Sequence, residues 1–398
     1  MRVDGAARRA RGAAVVAGAC SAALLLSSCG LTSISLGSHS AAQTPAAHIT
    51  VTPTLGAAAA SPGTPVVVRV ADGRLSTVMV KRADGTRLSG KVSQDGRTWV
   101  SRDRTLGYGA KYQVAVTAVD REGLTTTTTN EFRTLTPKLT AEAYISPGQG
   151  DVVGVGMPIV VQFDHEVRRK ALVEKQLEVL TPTPLEGGWY WRDDKMVEYR
   201  PKTFWPANTR ITVKVPLVGV ELAQGVWGDK DRSVTFRTGA AMVSKVDMDA
   251  HQLTVIKNGR VLRTIPVTTG KPGFATRTGV KVIMMKERTR IMDAATGGTD
   301  AADPEYYRIE VEYAMRLTWS GEFLHAAPWS VGSQGSSNVS HGCTGMSTGN
   351  AAWLYSVSRP GDVVVYSGTS NRAMSMDNGY GEWTLSWDDW KKGSALSA

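Results

Sequence analysis

Apolar and polar residues alternate in short segments through most of the chain between residues 64 and 239. The clearest case is KYQVAVTAV at 111–119, where every second residue from Tyr112 to Ala118 is apolar. Alternation with a period of two is typical of a strand that has one buried face. Turn sequences such as Ala-Asp-Gly and Gln-Asp-Gly separate these segments. The pattern therefore predicts a series of short β-strands.

The strand pattern occurs twice along the chain. The sequence EFRT closes the first set of strands and TFRT closes the second, which places Phe132 and Phe236 104 residues apart. Short strands at this spacing, separated by turns, are typical of immunoglobulin-like β-sandwiches. We therefore expect two tandem immunoglobulin-like domains, at 63–136 and 137–239.

Residues 240–367 combine strands with one helix. Asn258-Gly259 is a tight-turn signal between two strand segments. The segment TGNAAWLYSVS at 348–358 has apolar residues at helical spacing, and Arg-Pro-Gly-Asp ends it. We expect strands at 242–247, 252–256, 306–312, 315–319 and Phe323-Leu324-His325. The whole chain is therefore predicted to be mainly β, and its C-terminal domain mostly β with one short helix.

The segment at 368–398 is rich in tryptophan. Trp383, Trp387 and Trp390 stand close together in GEWTLSWDDWKKG. Such residues either form a face on which sugars stack or clamp the end of a chain onto its neighbour. We expect the clamp, with this extension packed on the domain at 240–367.

The N-terminus has the pattern of an export signal. Several arginines precede an apolar stretch, Ala13–Leu26, that is too short to span a bilayer comfortably. The sequence Leu-Ser-Ser-Cys29 resembles the bacterial lipobox, which implies a signal peptide at 1–28 and lipid attachment to Cys29; a simple secretory signal is the alternative. The Ala-, Ser- and Pro-rich stretch at 29–62 predicts a flexible tether, with a candidate strand at 48–53. We expect an exported lipoprotein at the outer face of the plasma membrane, reaching into the cell wall.

Composition and charge narrow the function classes. The chain has 398 residues, of which 42% are hydrophobic and 21% are charged, as in ordinary globular proteins. The formal net charge of +10 is scattered along the sequence. Since no basic cluster with interleaved aromatic residues is present, we expect no nucleic acid partner.

The candidate chemistry lies in the Gly/Ser-rich stretch FLHAAPWSVGSQGSSNVSHGCTGMS, which contains Cys343, His325 and His341. A cysteine attacks as the thiolate, and nearby imidazolium and N–H groups lower its pKa from about 8.5. If Cys29 carries a lipid, Cys343 has no partner for a disulfide in the exported chain, and exported thiols usually pair. The stretch therefore favours a catalytic nucleophile over a buried structural cysteine.

The spacing of these residues resembles a known signature. His325, followed after fourteen residues by Ser340-His341-Gly342-Cys343, is similar to the motif of L,D-transpeptidases with a YkuD-type catalytic domain. The sequences GKPG, TRTG, RPGDVVVY and DNGYGEWTLSWDDW extend the similarity over 240–398. Two immunoglobulin-like modules behind a lipoprotein-like signal resemble mycobacterial and related actinobacterial members.

The resemblance implies roles for individual residues. Cys343 would be the nucleophile and His325 its base, oriented by the carbonyl of Ala326. His341 and Gly342 would shape the cysteine loop, and the N–H groups of Gly342 and Cys343 would form the oxyanion hole. The remaining residues at matching pocket positions are Tyr307, Met292, Ser320, Gly321, Trp329 and Ser340. Without the resemblance, core packing would account for Met292 and Trp329. The segment 293–305 is a candidate lid.

The implied reaction is acyl transfer between peptidoglycan stem peptides, without a cofactor or metal. A tetrapeptide donor would form a thioester on Cys343, and a diaminopimelate-type amine would resolve it into a 3→3 cross-link. Carbapenems are the implied covalent inhibitors. A cysteine-dependent L,D-carboxypeptidase, a cell-wall hydrolase, a zinc site of His325, His341 and Cys343, and a non-catalytic envelope scaffold remain as alternatives. Thr344-Gly345 departs from the family, which usually has an aliphatic residue followed by Asn or Arg.

Overall fold

The first set of strands forms a two-sheet sandwich. The computed structural model describes residues 43–103 and 105–397 of the chain. The strands are β1 (His48–Thr52), β2 (Val67–Ala71), β3 (Arg74–Arg82), β4 (Gly90–Val92), β5 (Thr98–Ser101), β6 (Lys111–Val119) and β7 (Thr125–Arg133). One sheet has the order β1-β2-β5-β4 and the other β3-β6-β7. The alternation at 111–119 is confirmed, because every second residue from Tyr112 to Ala118 is buried between the sheets.

The start of this sandwich confirms the candidate strand at 48–53, so the residues from 48 onward do not belong to the predicted tether. Strand β1 lies inside 29–62 and pairs antiparallel with β2 from His48↔Ala71 to Thr52↔Val67. The stretch around Ala60 also joins the fold, since Ala60 donates its N–H to the carbonyl of Arg133 at 2.9 Å and is buried. Low sequence complexity therefore did not prevent this part from folding. The predicted signal at 1–28 and Cys29 lie outside the described residues.

The second set forms another sandwich, with a small third sheet. Its elements are β8 (Leu139–Ala141), β9 (Ala143–Ser146), β10 (Val152–Val153), β11 (Ile159–Phe163), α1 (Lys170–Glu174), β12 (Glu178–Leu180), β13 (Gly187–Trp191), β14 (Met196–Pro201), β15 (Arg210–Val215), β16 (Glu221–Ala223), β17 (Val226–Gly228) and β18 (Arg232–Thr238). The sheet orders are β10-β18-β15-β12, β13-β14-β11-β9 and β16-β17-β8. Phe132 and Phe236, which marked the repeat in the sequence, are each buried in the core of their own sandwich.

The C-terminal domain holds two sheets around one longer helix. Its elements are β19 (Met242–Asp247), β20 (Gln252–Lys257), β21 (Arg260–Pro266), β22 (Gly279–Val282), β23 (Met285–Asp293), β24 (Arg308–Arg316), β25 (Phe323–Ala326), β26 (Thr344–Met346), α2 (Thr348–Val357), β27 (Val363–Ser367) and α3 (Trp387–Lys391). Short 3-10 turns occur at Ala294–Gly297, Pro328–Ser330 and Glu382–Thr384. The sheet orders are β21-β20-β19-β27-β22 and β23-β24-β25-β26.

Most expectations for this domain are confirmed. The mainly β fold class holds, the Asn258-Gly259 turn joins β20 to β21, and the helix predicted at 348–358 is α2. The two strands expected at 306–312 and 315–319 are instead one continuous strand, β24, which pairs with β23 along its length. Among the described residues, no helix is long and apolar enough to cross a membrane.

The tryptophan-rich extension packs on both the second sandwich and the domain at 240–367. Trp390 is fully buried and donates its indole N–H to the carbonyl of Gly188 in β13, and its ring packs against Tyr190 with centroids 4.9 Å apart. Trp383 donates to the carbonyl of Gly156 at 2.8 Å. The extension therefore clamps the chain end, as expected. It also packs on the domain at 240–367, because the N–H of Met374 donates to the carbonyl of Thr278 at 2.8 Å and the N–H of Ser320 donates to Asn378 Oδ1 at 2.9 Å. Gly188 lies 202 residues before Trp390 in the chain, so only long-range folding brings β13 beside the C-terminus.

Candidate active site

Two neighbouring parallel strands bring the thiol and the imidazole together. His325 lies in β25, Cys343 directly precedes β26, and the register pairs His325 with Gly345. Because side chains two residues apart share a face of a strand, Cys343 lies on the same face as His325. Both residues line one cavity of about 330 Å³, which we call the thiol cavity.

The imidazole of His325 is fixed by the backbone. Its Nδ1 lies 2.8 Å from the carbonyl oxygen of Ala326. A carbonyl only accepts hydrogen bonds, so Nδ1 carries the proton and Nε2 is left as the basic nitrogen. Burial lowers the pKa of His325 below its usual value, which keeps the ring neutral near pH 7. This contact is the one expected of the Ala326 carbonyl.

Cys343 is more deeply buried than the sequence suggested. Its side chain is 7% exposed, and its thiol donates to the carbonyl of Gly321 at 3.4 Å. Burial raises the pKa of Cys343 to about 12, although a hydrogen bond from the backbone of Phe323 and the charge of Lys281 act in the opposite direction. The expectation that neighbouring groups would lower the thiol pKa is therefore wrong for this state. The resting site holds a neutral thiol beside a neutral imidazole.

The loop before the cysteine is held by internal hydrogen bonds. Ser340 Oγ donates to the carbonyl of Cys343 at 2.6 Å and accepts the N–H of Gly342 at 3.1 Å. Thr276 Oγ1 donates to the carbonyl of Gly342 at 2.9 Å. The Gly342 N–H, which we expected in an oxyanion hole, is thus already used within the loop. The Ser340 side chain thus holds the backbone that carries the thiol in place, and it also lines the thiol cavity.

His341 connects the cysteine loop to the candidate lid. Its Nε2 lies 2.6 Å from Glu305, which also accepts from Lys271 Nζ at 2.6 Å. Its ring packs between Phe274 and Tyr307, with centroid distances of 4.5 and 4.9 Å. The segment 293–305 is therefore anchored at its end in this state. Sequence reasoning missed Glu305 and Lys271, because no local pattern pairs residues 36 and 34 positions apart.

The predicted pocket residues divide between two cavities. Trp329 and Ser340 line the thiol cavity, where the Trp329 ring stacks over His325 with centroids 6.0 Å apart. Ser320 and Gly321 line a second cavity of about 140 Å³. Met292, Tyr307 and His341 line both, so they stand between the two.

Comparison with known proteins decides the family. The model of the L,D-transpeptidase catalytic domain matches residues 242–365, and that of a bacterial Ig domain matches 57–221. L,D-transpeptidase 2 of Mycobacterium tuberculosis (strain CDC 1551 / Oshkosh) is 35% identical over 347 residues, which cover 87% of this chain and 85% of that protein. The chain belongs to the L,D-transpeptidase family.

Further relatives agree with this assignment. L,D-transpeptidase 5 of M. tuberculosis H37Rv is 33% identical over 359 residues, covering 88% of this chain and 78% of that protein. A solved LD transpeptidase in complex with imipenem is 37% identical, with a TM-score of 0.51, and covers 58% of this chain and 100% of that one.

A cluster of buried ion pairs, which sequence reasoning missed, lies near the cysteine of this L,D-transpeptidase. Glu322 accepts from Lys281 Nζ at 2.5 Å and from Arg277 Nη1 at 2.8 Å. Lys281 is fully buried, and burial lowers its pKa to about 8 despite the attraction of Glu322. The available signal was the lysine inside the otherwise apolar strand GVKV, since a buried lysine requires a partner.

The departure at Thr344-Gly345 has a structural explanation. Thr344 Oγ1 and the Tyr366 hydroxyl are 2.7 Å apart, so the residue that is usually aliphatic makes a buried hydrogen bond here. A side chain at Gly345 would place its Cβ 2.9 Å from the Cβ of Ala327 and 3.2 Å from Thr268 Cγ2. These neighbours occupy the space that a larger residue would need.

The described residues offer no metal centre. Within 43–103 and 105–397, no group of three or more His, Cys, Asp or Glu side chains is arranged to hold a metal ion. Two acidic residues of the loop at 221–231 are engaged in other contacts: Asp231 accepts the N–H of Val218, and Glu221 pairs with Arg169.

Proposed function

We propose that this chain cross-links peptidoglycan stem peptides through a thioester on Cys343, with His325 as the base. The observation that carries the proposal is the placement of the thiol and the Ala326-oriented imidazole on one face of two adjacent strands, in one cavity. Family membership supports the same reaction, because the relatives are named L,D-transpeptidases. The products are 3→3 linkages between neighbouring stems.

Acylation begins from the neutral pair. Nε2 of His325 takes the proton from the Cys343 thiol as sulfur attacks the carbonyl carbon of the third residue of a tetrapeptide stem. The C–N bond to the terminal D-Ala breaks, and the imidazolium returns the proton to the leaving amine. Since burial opposes both separated charges, proton transfer and attack are expected to occur together rather than through a stable thiolate.

Deacylation uses the same groups in the opposite direction. The side-chain amine of a second stem attacks the thioester carbonyl and gives its proton to Nε2 of His325. The C–S bond breaks, and the proton passes to the departing thiolate, which restores the starting site. Burial raises the pKa of Tyr307 to about 12, so its hydroxyl stays protonated and can donate to the oxyanion in both steps.

The decisive experiment compares products by mass. The mature protein is incubated with a disaccharide-tetrapeptide, and a dimer lacking one D-Ala supports cross-linking. Free tripeptide would instead identify an L,D-carboxypeptidase or hydrolase, and unchanged substrate a scaffold. Cys343→Ala is expected to abolish the dimer, whereas Ser336→Ala, on the exposed part of the same loop, is the matched control.

Inhibition by carbapenems follows from the same thiol. A solved relative is in complex with imipenem, and an acylated Cys343 in this chain would increase its mass by one drug molecule. We expect the adduct in the wild type and none in Cys343→Ala. A Cys343→Ala protein that still carries the adduct would contradict the assignment.

Export and anchoring are proposed on the sequence pattern alone. Lipid attachment to Cys29 would hold the protein at the outer face of the plasma membrane, within reach of the cell wall. Metabolic labelling with a radioactive fatty acid should mark the wild type and not Cys29→Ser. Equal labelling of both would contradict anchoring at this residue.

A further inference from the structure

The buried ion-pair cluster near the cysteine consists of Arg277, Lys281 and Glu322, and the proposed mechanism does not use it. Lys281 Nζ lies 2.5 Å from Glu322 Oε2. Arg277 donates its backbone N–H and its Nη1 to Glu322 Oε1, at 3.1 and 2.8 Å. Removing two opposite charges from water costs free energy that a well-packed apolar pair of similar size does not. Stability alone therefore does not account for an ion pair at this position.

Glu322 joins the cluster to the backbone that carries the thiol. A Cβ built on Gly342 would lie 3.7 Å from Glu322 Cγ, so the Glu322 side chain packs directly against the residue before Cys343. Glu322 also follows Gly321, whose carbonyl accepts the hydrogen bond of the thiol at 3.4 Å. The position of the Glu322 side chain is therefore tied to that of the sulfur.

Lys281 reaches the other side of the cysteine through Tyr366. Its Nζ lies 3.7 Å from the centroid of the Tyr366 ring, which is a cation–π contact. The Tyr366 hydroxyl and Thr344 Oγ1, in the residue that follows Cys343, are 2.7 Å apart. Because all of these side chains are buried, the ammonium is held in place and little water screens its charge from the sulfur.

The charges that face Cys343 come from several elements. Glu322 raises the pKa of the thiol, and Lys281 lowers it. The other titratable side chains that line the thiol cavity are His325, His341 and Tyr307. Burial lowers the pKa of His325 and raises that of Tyr307 to about 12, whereas the pKa of Lys281 is about 8. Lys281 therefore changes its charge at a pH where His325 and Tyr307 do not.

We propose that Lys281 is a positioning residue of the acyl transfer, because its buried ammonium, fixed by Glu322, favours the negative charge that develops on the Cys343 sulfur. The proposal rests on the proposed function for the reaction itself. When the sulfur attacks, its proton passes to Nε2 of His325, and the ammonium keeps its own protons. The same charge stabilises the thiolate that departs when the C–S bond breaks, so Lys281 assists both steps.

The first test measures alkylation of Cys343 by iodoacetamide, which requires no peptide substrate. Lys281→Met removes the ammonium, while Arg277 still pairs with the Glu322 carboxylate. With one nearby positive charge lost, the thiol pKa should rise by about one unit, and alkylation at pH 7 should slow about tenfold. A variant that only loosened the packing would expose the thiol and react faster, so the direction of the change separates the two roles.

Tyr366→Phe is the matched control for this experiment. It removes a buried hydroxyl from the same set of contacts and changes no charge. Its alkylation rate should therefore stay within about twofold of the wild type, since the thiol pKa depends on nearby charges.

The wild type provides a second measurement that needs no substitution. The logarithm of its alkylation rate should rise with pH with a slope of about one, because only the thiolate reacts. Around pH 8 the slope should be smaller, since loss of the Lys281 proton makes the thiol harder to ionise. Glu322→Gln leaves the buried lysine without its carboxylate and should move this inflection to lower pH.

The peptide assay connects the charge to catalysis. For Lys281→Met we expect kcat for cross-linking to fall severalfold with KM nearly unchanged, because the interaction strengthens only as charge develops on the sulfur. If the wild type forms no product, the proposed function fails, whereas alkylation still tests the effect of Lys281 on the thiol.

Three results would overturn the proposal. The first is a Lys281→Met protein whose thiol reacts as fast as that of the wild type, or faster. The second is a wild-type profile with a constant slope of one from pH 7 to 10. The third is a kcat that Lys281→Met leaves unchanged. If Lys281→Met does not fold, the wild-type pH profile decides.

Discussion

At the scale of single residues, the site depends on burial more than on charge. A nucleophilic cysteine is often paired with an imidazolium that stabilises the thiolate. Here burial lowers the pKa of His325 and raises that of Cys343, so the neutral pair is favoured. Because an exported thiol is exposed to oxidants, a protonated resting state also protects it between turnovers.

This argument predicts slow alkylation of Cys343 in the folded protein. With a pKa near 12, the thiol should react with iodoacetamide at pH 7 at least about tenfold more slowly than an unfolded thiol of pKa about 8.5. The rate should continue to rise above pH 9. Mass spectrometry of the peptide that contains Cys343 measures it, and the same protein in urea is the control. A rate that reaches a plateau below pH 7 would instead indicate a thiolate–imidazolium pair.

At the scale of elements, strands β25 and β26 determine the geometry of the site. Their parallel pairing places His325 opposite Gly345, where the absence of a side chain lets Ala327 and Thr268 approach closely. Gly345 stands where the family usually has Asn or Arg, and its neighbours Ala327 and Thr268 fill the space that such a side chain would need.

Gly345→Ala is accordingly expected to destabilise the fold. The added Cβ would lie 2.9 Å from Ala327 Cβ, and overpacking of this kind costs about 1–3 kcal/mol of unfolding free energy. Urea denaturation measures the change. Gly349→Ala in α2 is the matched control, because a Cβ there meets nothing within 4 Å and alanine favours a helix. If both variants were as stable as the wild type, the packing argument for Gly345 would fail.

At the scale of the whole molecule, the tryptophan-rich extension joins the catalytic domain to the second sandwich. The guanidinium of Arg200, from β14, lies 5.0, 5.2 and 5.0 Å from the rings of Trp383, Trp387 and Trp390. It also donates to the carbonyl of Leu385 at 3.0 Å. The second sandwich therefore supports the catalytic domain through its contacts with the extension.

Trp390→Ala should weaken this joint strongly. The side chain is fully buried, and removing a buried aromatic ring costs about 3–5 kcal/mol. Urea denaturation should show the loss, with a smaller effect for the partly exposed Trp387→Ala. Equal stability of the Trp390 variant and the wild type would show that the clamp contributes little.

The same joint contains two buried carboxyl groups, Glu198 and Glu382. Burial raises the pKa of Glu198 to about 7 and that of Glu382 well above its usual value. The charge of Glu198 raises the pKa of Glu382 further, whereas a hydrogen bond with Glu382 lowers that of Glu198. A carboxyl whose pKa is raised on folding stabilises the fold below its unfolded pKa of about 4.5 and loses that contribution as the pH rises through the folded value. The joint should therefore weaken as the pH rises from about 4.5 to above 7.

Glu382→Gln is expected to remove most of this pH dependence. Its Tm should exceed that of the wild type at pH 8, and the difference should shrink towards pH 5. Glu178→Gln, at an exposed position of β12, should show no such trend. A Glu382→Gln protein whose Tm follows the wild type at every pH would contradict the argument.

Much of the fold and the site could be predicted from the sequence because the signals are local. The alternation at 111–119, the turn at Asn258-Gly259 and the helix at 348–358 depend on near neighbours in the chain. The spacing of His325 and Cys343 is a pattern readable within one short stretch of sequence, and in this chain the adjacent strands β25 and β26 bring the two residues together.

What only the tertiary structure decided depends on groups distant in sequence. Desolvation, which reverses the expected pKa shift of Cys343, reflects how the whole domain excludes water from the site. No sequence periodicity predicts three of the contacts that matter here. They are those of Glu305 with His341, of Glu322 with the surroundings of the thiol, and of Gly188 with Trp390. Sequence by itself determined which residues carry the chemistry; three-dimensional packing determined their protonation, their partners and the surface on which the extension lies.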